Sequence, residues 1–324
     1  MNKLKASLSL DLDNQWSYMK IHGEKDWNQF PSYFEKFIPM VLKILGDMDL
    51  SITFFIVGQD AALDKNRDIL KELAMKGHEV GNHSFHHETW LHLYGKDDLK
   101  KEILETEEFI FKATGKKTIG FRGPGYSWSR ELLEILIESN YLYDASTLPT
   151  FIGPLARFYY FRTSELDQKE KKEREYVLGS FRDGFRSVKP YYWKISDSER
   201  LLEIPVTTIP IFKVPFHLNY LIFLSRYSER LMNVYLEMAI KLCKVTKTEP
   251  SFLLHPLDLI SGDLIPEMAF FPGMDVPGSQ KMELFYKVIG KLSKNFNCVT
   301  LNNYAKSLQD KNNHLNEVTP KLYS

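Results

Sequence analysis

The sequence predicts an α/β fold built from parallel βαβ units. Two observations carry that prediction. Short, β-rich apolar runs alternate with amphipathic helical stretches along the whole 324-residue chain. Polar residues capable of chemistry, namely Asp11, Asp13, His83, Arg122, Asp144 and His255, each fall at or just past the carboxyl end of an apolar run. In a barrel or an open parallel sheet those ends converge on one face, and that face holds the active site. Length alone allows one large domain or two smaller ones. The rhythm favours a single catalytic domain over residues 1–310, with a polar tail at 311–324 that frays.

The elements follow in order. Residues 4–12 alternate apolar and polar side chains and end in Asp11-Leu12-Asp13, a strand running straight into two carboxylates. A helix over 31–47 opens with Pro31-Ser32 ahead of Tyr33, a helix-start signal. The aromatic and β-branched run 51–57 is the second strand, and a helix over 64–76 is closed by Gly77. Strand 79–82 leads into His83-Ser84-Phe85-His86-His87, helix 96–114 follows, and strand 118–121 delivers Arg122. Helix 129–139 precedes strand 141–144, which ends in Asp144. Residues 151–200 break the rhythm: aromatic and Pro/Gly-rich at first, then charge-dense from Glu165 to Glu175, then aromatic again through Phe181, Phe185, Tyr191, Tyr192 and Trp193. They read as a long insertion on the catalytic face. Strand 202–208, helix 226–246, strand 251–255 ending in His255, helix 278–294 and strand 298–301 complete the pattern.

Composition excludes several classes. Lys+Arg and Asp+Glu both number 42, so no basic surface asks for nucleic acid. The two cysteines, Cys243 and Cys298, form no Cys-x-x-Cys pair and are too few for a disulfide framework, which fits a reducing, cytoplasmic compartment. The amino-terminal run reads as a strand and not as an export signal, and no stretch of about twenty uncharged apolar residues suggests a spanning helix. The nearest apolar stretch, 209–224, is broken by Lys213, Pro215 and His217; it reads as a buried loop and helix start, with peripheral membrane or lipid contact as the alternative.

Chemistry concentrates in four places. His83 and His87 are four apart, so one helical turn or a tight loop can aim both rings at one ion. An i, i+2 pair on an extended strand projects Asp11 and Asp13 to one side. Two His and one carboxylate leave a coordination position open, the catalytic arrangement of zinc, and the second carboxylate is then free to act as a base. Alone, a His-x-x-x-His pair can simply solvate a helix and an Asp-x-Asp pair can decorate a loop. His86 points away from the pair, while His78 and His92 read as structural or solvated. In Gly120-Phe121-Arg122-Gly123-Pro124-Gly125-Tyr126, Arg122 can pair with Asp11, and a backbone N–H near Gly125 or Tyr126 can face a developing oxyanion; an ordinary strand-to-helix turn is the competing reading. His255, ending Ser251-Phe252-Leu253-Leu254, is the natural general acid on that face.

This ordered set resembles the polysaccharide deacetylase family, the NodB-homology group of carbohydrate esterase family four, over roughly residues 4–145 and 250–305. The family's first motif matches Asp11 as catalytic base and Asp13 as metal ligand. Its second, His-[Ser/Thr]-x-x-His, matches His83 and His87 as ligands; its third matches Arg122-Gly123-Pro124, and its last matches Leu253-Leu254-His255. The resemblance implies a distorted (β/α) barrel, one divalent cation such as zinc, and hydrolysis of an N-acyl group from an amino sugar, with Asp11 as base, His255 as acid and Arg122 in support. Gly125, Tyr126 and Asp144 are then expected at the substrate, Asp144 in a supporting role.

Three departures accompany the match. Asp-Leu-Asp replaces the usual adjacent pair, as in the branch that includes peptidoglycan deacetylase-like proteins, allantoinase-like proteins and lipid-linked aminoarabinose deformylases, so a deformylase or amidase acting on a lipid-linked sugar or cyclic amide is an alternative. No Asp-Trp motif that would tune His255 is recognisable, since Leu202-Glu203-Ile204-Pro205-Val206 occupies its strand, and Asp258 is a candidate for that role. Asp144 sits in an Asp-Ser feature after its strand. Two rivals remain open: a magnesium-dependent phosphohydrolase using Asp-x-Asp, which leaves the histidines without a role, and a glycan-binding protein without turnover.

Overall fold

The structure, a computed structural model, describes residues 3–155, 158, 180–310 and 315–321. One sheet runs through it. In chain order its strands are β1 (Lys5–Leu12), β2 (Thr53–Ile56), β3 (Glu79–Asn82), β4 (Gly120–Phe121), β5 (Tyr143–Asp144), β6 (Tyr191–Lys194), β7 (Arg200–Glu203), β8 (Ser251–Leu254), β9 (Asn297–Val299) and β10 (Glu317–Val318). In space the order is β10-β6-β7-β5-β4-β3-β2-β1-β8, with β9 paired to the start of β1. Only β6 and β7 pair antiparallel among them. Past β7 the chain stays extended: Val206 N–H donates to Thr147 O at 2.9 Å and Thr207 N–H to Ser251 O at 3.0 Å. Those bonds join the β5 side of the sheet to β8 and close an irregular barrel, the expected fold.

The alternation in β1 explains where the site forms. Ala6, Leu8, Leu10 and Leu12 point outward into the main apolar cluster, packed with Phe34, Phe37, Ile38, Val41 and Leu45 of the helix Phe34–Asp47. Ser9 and Asp11 lie on the opposite side of the strand, where both meet the Arg122 side chain inside the barrel. Burying each such Leu or Phe contributes about 1.5–3 kcal/mol, so a one-residue register slip that exchanged the two faces is strongly disfavoured.

Sequence and structure part at several elements. The helix expected over 226–246 runs Glu229–Val245, and a separate helix, Leu218–Tyr227, precedes it; between them lies Ser228, whose side chain accepts from Leu231 N–H. Within 209–224, Ile209, Phe216, Leu218, Leu221 and Ile222 are buried, whereas Ile211, Phe212 and Phe223 are exposed. In the segment expected as an insertion, residues 191–194 instead form β6, with Tyr191 and Trp193 turned into the core. The charge-dense stretch 165–175 lies outside the described residues. The tail was expected to fray, yet Glu317 and Val318 pair with Tyr192 and Trp193. A two-residue strand leaves no periodicity to read.

Candidate metal centre and active site

Asp13 emerges from β1 with its backbone pinned: the Tyr33 hydroxyl donates to its carbonyl oxygen. Asn14 caps the following helix, Gln15–His22, through Gln15 N–H at 2.8 Å, and its amide donates to buried Asp60 at 2.6 Å. Trp16 Nε1 reaches the same Asp60 oxygen at 3.0 Å, and burial pushes that carboxyl up to about 7.

The histidine loop leaves β3 without forming a helical turn. Ser84 and His87 adopt left-handed backbone, with φ of 60° and 55°. Asn82 Oδ1 accepts Ser84 N–H at 2.9 Å, while Glu102 Oε2, from the helix Lys96–Thr114, accepts Phe85 N–H at 2.8 Å and His86 N–H at 3.0 Å. His86 turns outward onto Glu102, as expected. His83 and His87 turn inward.

There Asp13 Oδ1 lies 2.9 Å from His87 Nε2 and 3.4 Å from His83 Nε2, and the ligand atoms of the three residues fall within 4.8 Å of one another. Asp13 Oδ1 is nonetheless a buried oxygen without a properly aligned hydrogen bond. His83 Nδ1 lies 2.6 Å from Arg122 O, a bond that, donated by the ring, leaves Nε2 free as a ligand. Burial pushes the Asp13 carboxyl up, but the neighbouring His87 and His83 imidazoles overcome it and hold the group well below the usual carboxylate range. For His83, burial pulls down while Asp11 and Asp13 prevail and raise it. An orphaned anionic oxygen facing two imidazole nitrogens fits a borderline-soft divalent cation such as zinc.

Asp11 occupies the next position. Its Oδ1 accepts from Arg122 Nη1 at 2.7 Å, and its Oδ2 lies 4.0 Å from His255 Nε2. Arg122 is completely buried; Nε donates to Ala145 O at 3.0 Å, Nη1 also reaches Ser9 Oγ at 2.9 Å, and the guanidinium lies over Phe55. His255, just past the end of β8, keeps 24% of its side chain exposed.

The loop after Arg122 follows its glycines. A Cβ on Gly123 would stand 1.9 Å from Ser127 O, so only glycine fits. Tyr126 N–H bonds Gly123 O at 3.0 Å and closes the turn, which withdraws it as an oxyanion donor and leaves Gly125 N–H as the candidate. Asp144, expected in a supporting role at the substrate, lies beneath the same loop. It is fully buried, and its Oδ1 accepts from Ser146 Oγ, which in turn accepts Gly123 N–H at 2.8 Å. The carboxylate therefore shapes the Arg122 loop from beneath. Glu203 packs beside it, accepting from Trp193 Nε1 at 3.0 Å and Thr147 N–H at 3.1 Å; burial and then Asp144 raise it well above its ordinary value.

Sequence reasoning missed Tyr33, Asp60, Glu102, Glu203 and His217. The last is buried at the start of the helix Leu218–Tyr227, its Nδ1 unpartnered; burial, then the His255 and Arg122 charges, pull it down to about 3. None of the five stands in a motif that its spacing in the sequence reveals.

Residues 26–143 match the sequence profile of the polysaccharide deacetylase family. The chain is 28% identical over 128 residues to the peptidoglycan deacetylase of Helicobacter pylori, covering 40% of this chain and 41% of that protein. It is 31% identical over 99 residues to the chitooligosaccharide deacetylase of Sinorhizobium fredii, covering 30% and 44%. The chain thus spans less than half the length of the curated relatives it matches. A candidate polysaccharide deacetylase of known structure from Mycobacterium smegmatis superposes with a TM-score of 0.61 at 17% identity, over 99% of this chain and 96% of that one. The PuuE allantoinase gives 0.55 at 14%, over 95% and 91%. At such identities these two establish the shared fold.

Proposed function

We propose, from the premise that the chain belongs to the polysaccharide deacetylase family, that it is a metal-dependent hydrolase removing an N-acetyl group from an amino sugar of a glycan. One observation carries the reading: Asp11 Oδ2 faces His255 Nε2 at 4.0 Å, beside the Asp13, His83 and His87 cluster. Base, acid and cation ligands share one face.

Asp13, His83 and His87 would hold the cation, which when bound supplies Lewis acidity to the amide carbonyl and to the attacking water. Asp11 takes the water's proton on Oδ2, because Oδ1 is engaged by Arg122. Water oxygen bonds to the carbonyl carbon, and Gly125 N–H donates to the oxygen that gains charge. His255 then gives its proton to the sugar nitrogen as the C–N bond breaks, releasing acetate and a free amine. The imidazole neighbours of Asp13 favour this reading over a magnesium phosphohydrolase, whose site is built from oxygen ligands.

The test is acetate release from N-acetylglucosamine oligomers and peptidoglycan fragments by zinc-supplemented protein, with Asp11→Asn as the control. Release by wild type alone supports the proposal; silence across a broad N-acyl panel, formamides and cyclic amides included, from metal-loaded protein overturns it and favours binding without turnover.

A lipid-linked sugar is a second reading, favoured by one observation. Ile211 and Phe212 are 69% and 57% exposed on a tight loop, and Phe181 and Phe185 are 57% and 73% exposed. The two segments are tied together by Lys213 Nζ, which donates to Arg186 O. None of the helices among the described residues is long and apolar enough to cross a membrane, so any such contact is peripheral. Equal rates on lipid-linked and free forms of one sugar would count against it.

A further inference from the structure

His255 has no Asp-Trp partner on the strand where the family resemblance looks for one, yet the structure gives it another support. It leaves β8 into the short turn Pro256–Asp258, and that turn bonds back onto it. The His255 N–H donates to Asp258 Oδ2 at 2.8 Å, and the Asp258 N–H is directed back at the His255 carbonyl and imidazole. The same carboxylate oxygen stands 3.9 Å from the ring Nδ1, on the side away from Asp11.

Beneath the turn lies Lys281, from the helix Gly278–Asn295. It is only 1% exposed, rare for a lysine, and its ammonium donates to Leu257 O and Ile260 O, both at 2.7 Å. Removing that cation would strand two buried carbonyls at the ends of the turn. Burial pulls Lys281 down to about 8, so it still carries its charge at neutral pH. Burial pushes the Asp258 carboxyl up, while His255 and Lys281 draw it back.

We propose that Lys281 and Asp258 are positioning residues for His255: Lys281 braces the 256–260 turn from below, and Asp258 fixes the imidazole so that Nε2 faces Asp11. This rests on the proposed function only in calling His255 the acid. The other charged or titratable groups around the ring are Asp11 from β1, itself held by Arg122 beyond β4, and His217 from the start of its helix; Tyr18, from the helix Gln15–His22, faces Asp258.

The test follows the His255 ring resonances by NMR against pH in full-length, zinc-supplemented protein, with His255→Gln to assign them. Asp258→Asn keeps an oxygen for the His255 N–H but removes the charge beside Nδ1. The ring, no longer held in one orientation, should show displaced and broadened Nδ1 and Nε2 resonances. Lys281→Gln keeps one donor for the two carbonyls but loses the ammonium that holds both, so the turn loosens and the ring resonances change in the same sense. The double variant should change no further than the larger single effect. Unchanged ring resonances in Asp258→Asn, or strictly additive changes, overturn the proposal. Kinetics with an N-acetylated glycan should show kcat reduced about tenfold or more at constant KM. If the wild type hydrolyses no N-acyl substrate, the functional reading fails while the NMR result still decides the positioning.

Discussion

Arg122→Met tests how the barrel interior holds its base. The Arg122–Asp11 pair is 2.7 Å long, with side chains 1% and 7% exposed, so neither charge can turn to water if the other is removed. Methionine fills much of the volume but leaves the Asp11 carboxylate unpaired and takes donors from Ala145 O and Ser9 Oγ. Breaking one side of such a pair costs about 3–5 kcal/mol, more than a neutral hydrogen bond at about 1 kcal/mol. Asp11→Asn is milder, because the amide oxygen still accepts from Nη1. Combined, Asp11→Asn/Arg122→Met should be less destabilised than the sum of the singles, by on the order of 1–3 kcal/mol, since the stranded carboxylate is gone. Urea unfolding followed by tryptophan fluorescence measures all four proteins. A loss below about 1 kcal/mol for Arg122→Met, or strict additivity, would show that water reaches Asp11 and that the pair is not the closed contact described above.

Three further outcomes follow from the same geometry. Asp11→Asn should keep its bound metal and lose about 10²–10⁴-fold in turnover, whereas Asp13→Ala should lose metal and turnover together; metal analysis alongside acetate release separates them. Glu102→Ala frees two backbone N–H groups of the histidine loop, and should weaken metal affinity about 10–100-fold, read by competition with a chelating dye. His78, whose Nδ1 accepts Ile52 N–H at 3.2 Å, is pulled down by burial to about 4. Its folded form therefore resists a proton that the unfolded chain accepts near 6.5, and stability drains away as pH falls from about 6.5 toward 4. Between pH 7 and 5 the wild type should lose about 1–2 kcal/mol more than His78→Gln in urea titrations at the two values.

The site was legible because β1 carries its polar residues on one face, and because His83, Arg122 and His255 all follow strand ends that a parallel sheet brings together. What could not be read was mostly held from elsewhere in the chain. Glu102 sits seventeen residues from Phe85, and Lys281 supports a turn twenty-four residues before it. Neither stands in a pattern that spacing reveals. Strands β6 and β10 were missed for a related reason: β10 gains its identity only from Tyr192 and Trp193, far away in sequence. The loop 83–87 was expected as a helical turn or a tight loop, and the left-handed Ser84 and His87 decide for the loop.

The most direct test of the account is elemental analysis of protein purified without added metal or chelator, beside the His83→Ala/His87→Ala double variant. The account predicts about one zinc, or another transition metal, per wild-type chain and its loss from the variant. Magnesium alone, or a metal content indifferent to the two histidines, would contradict it.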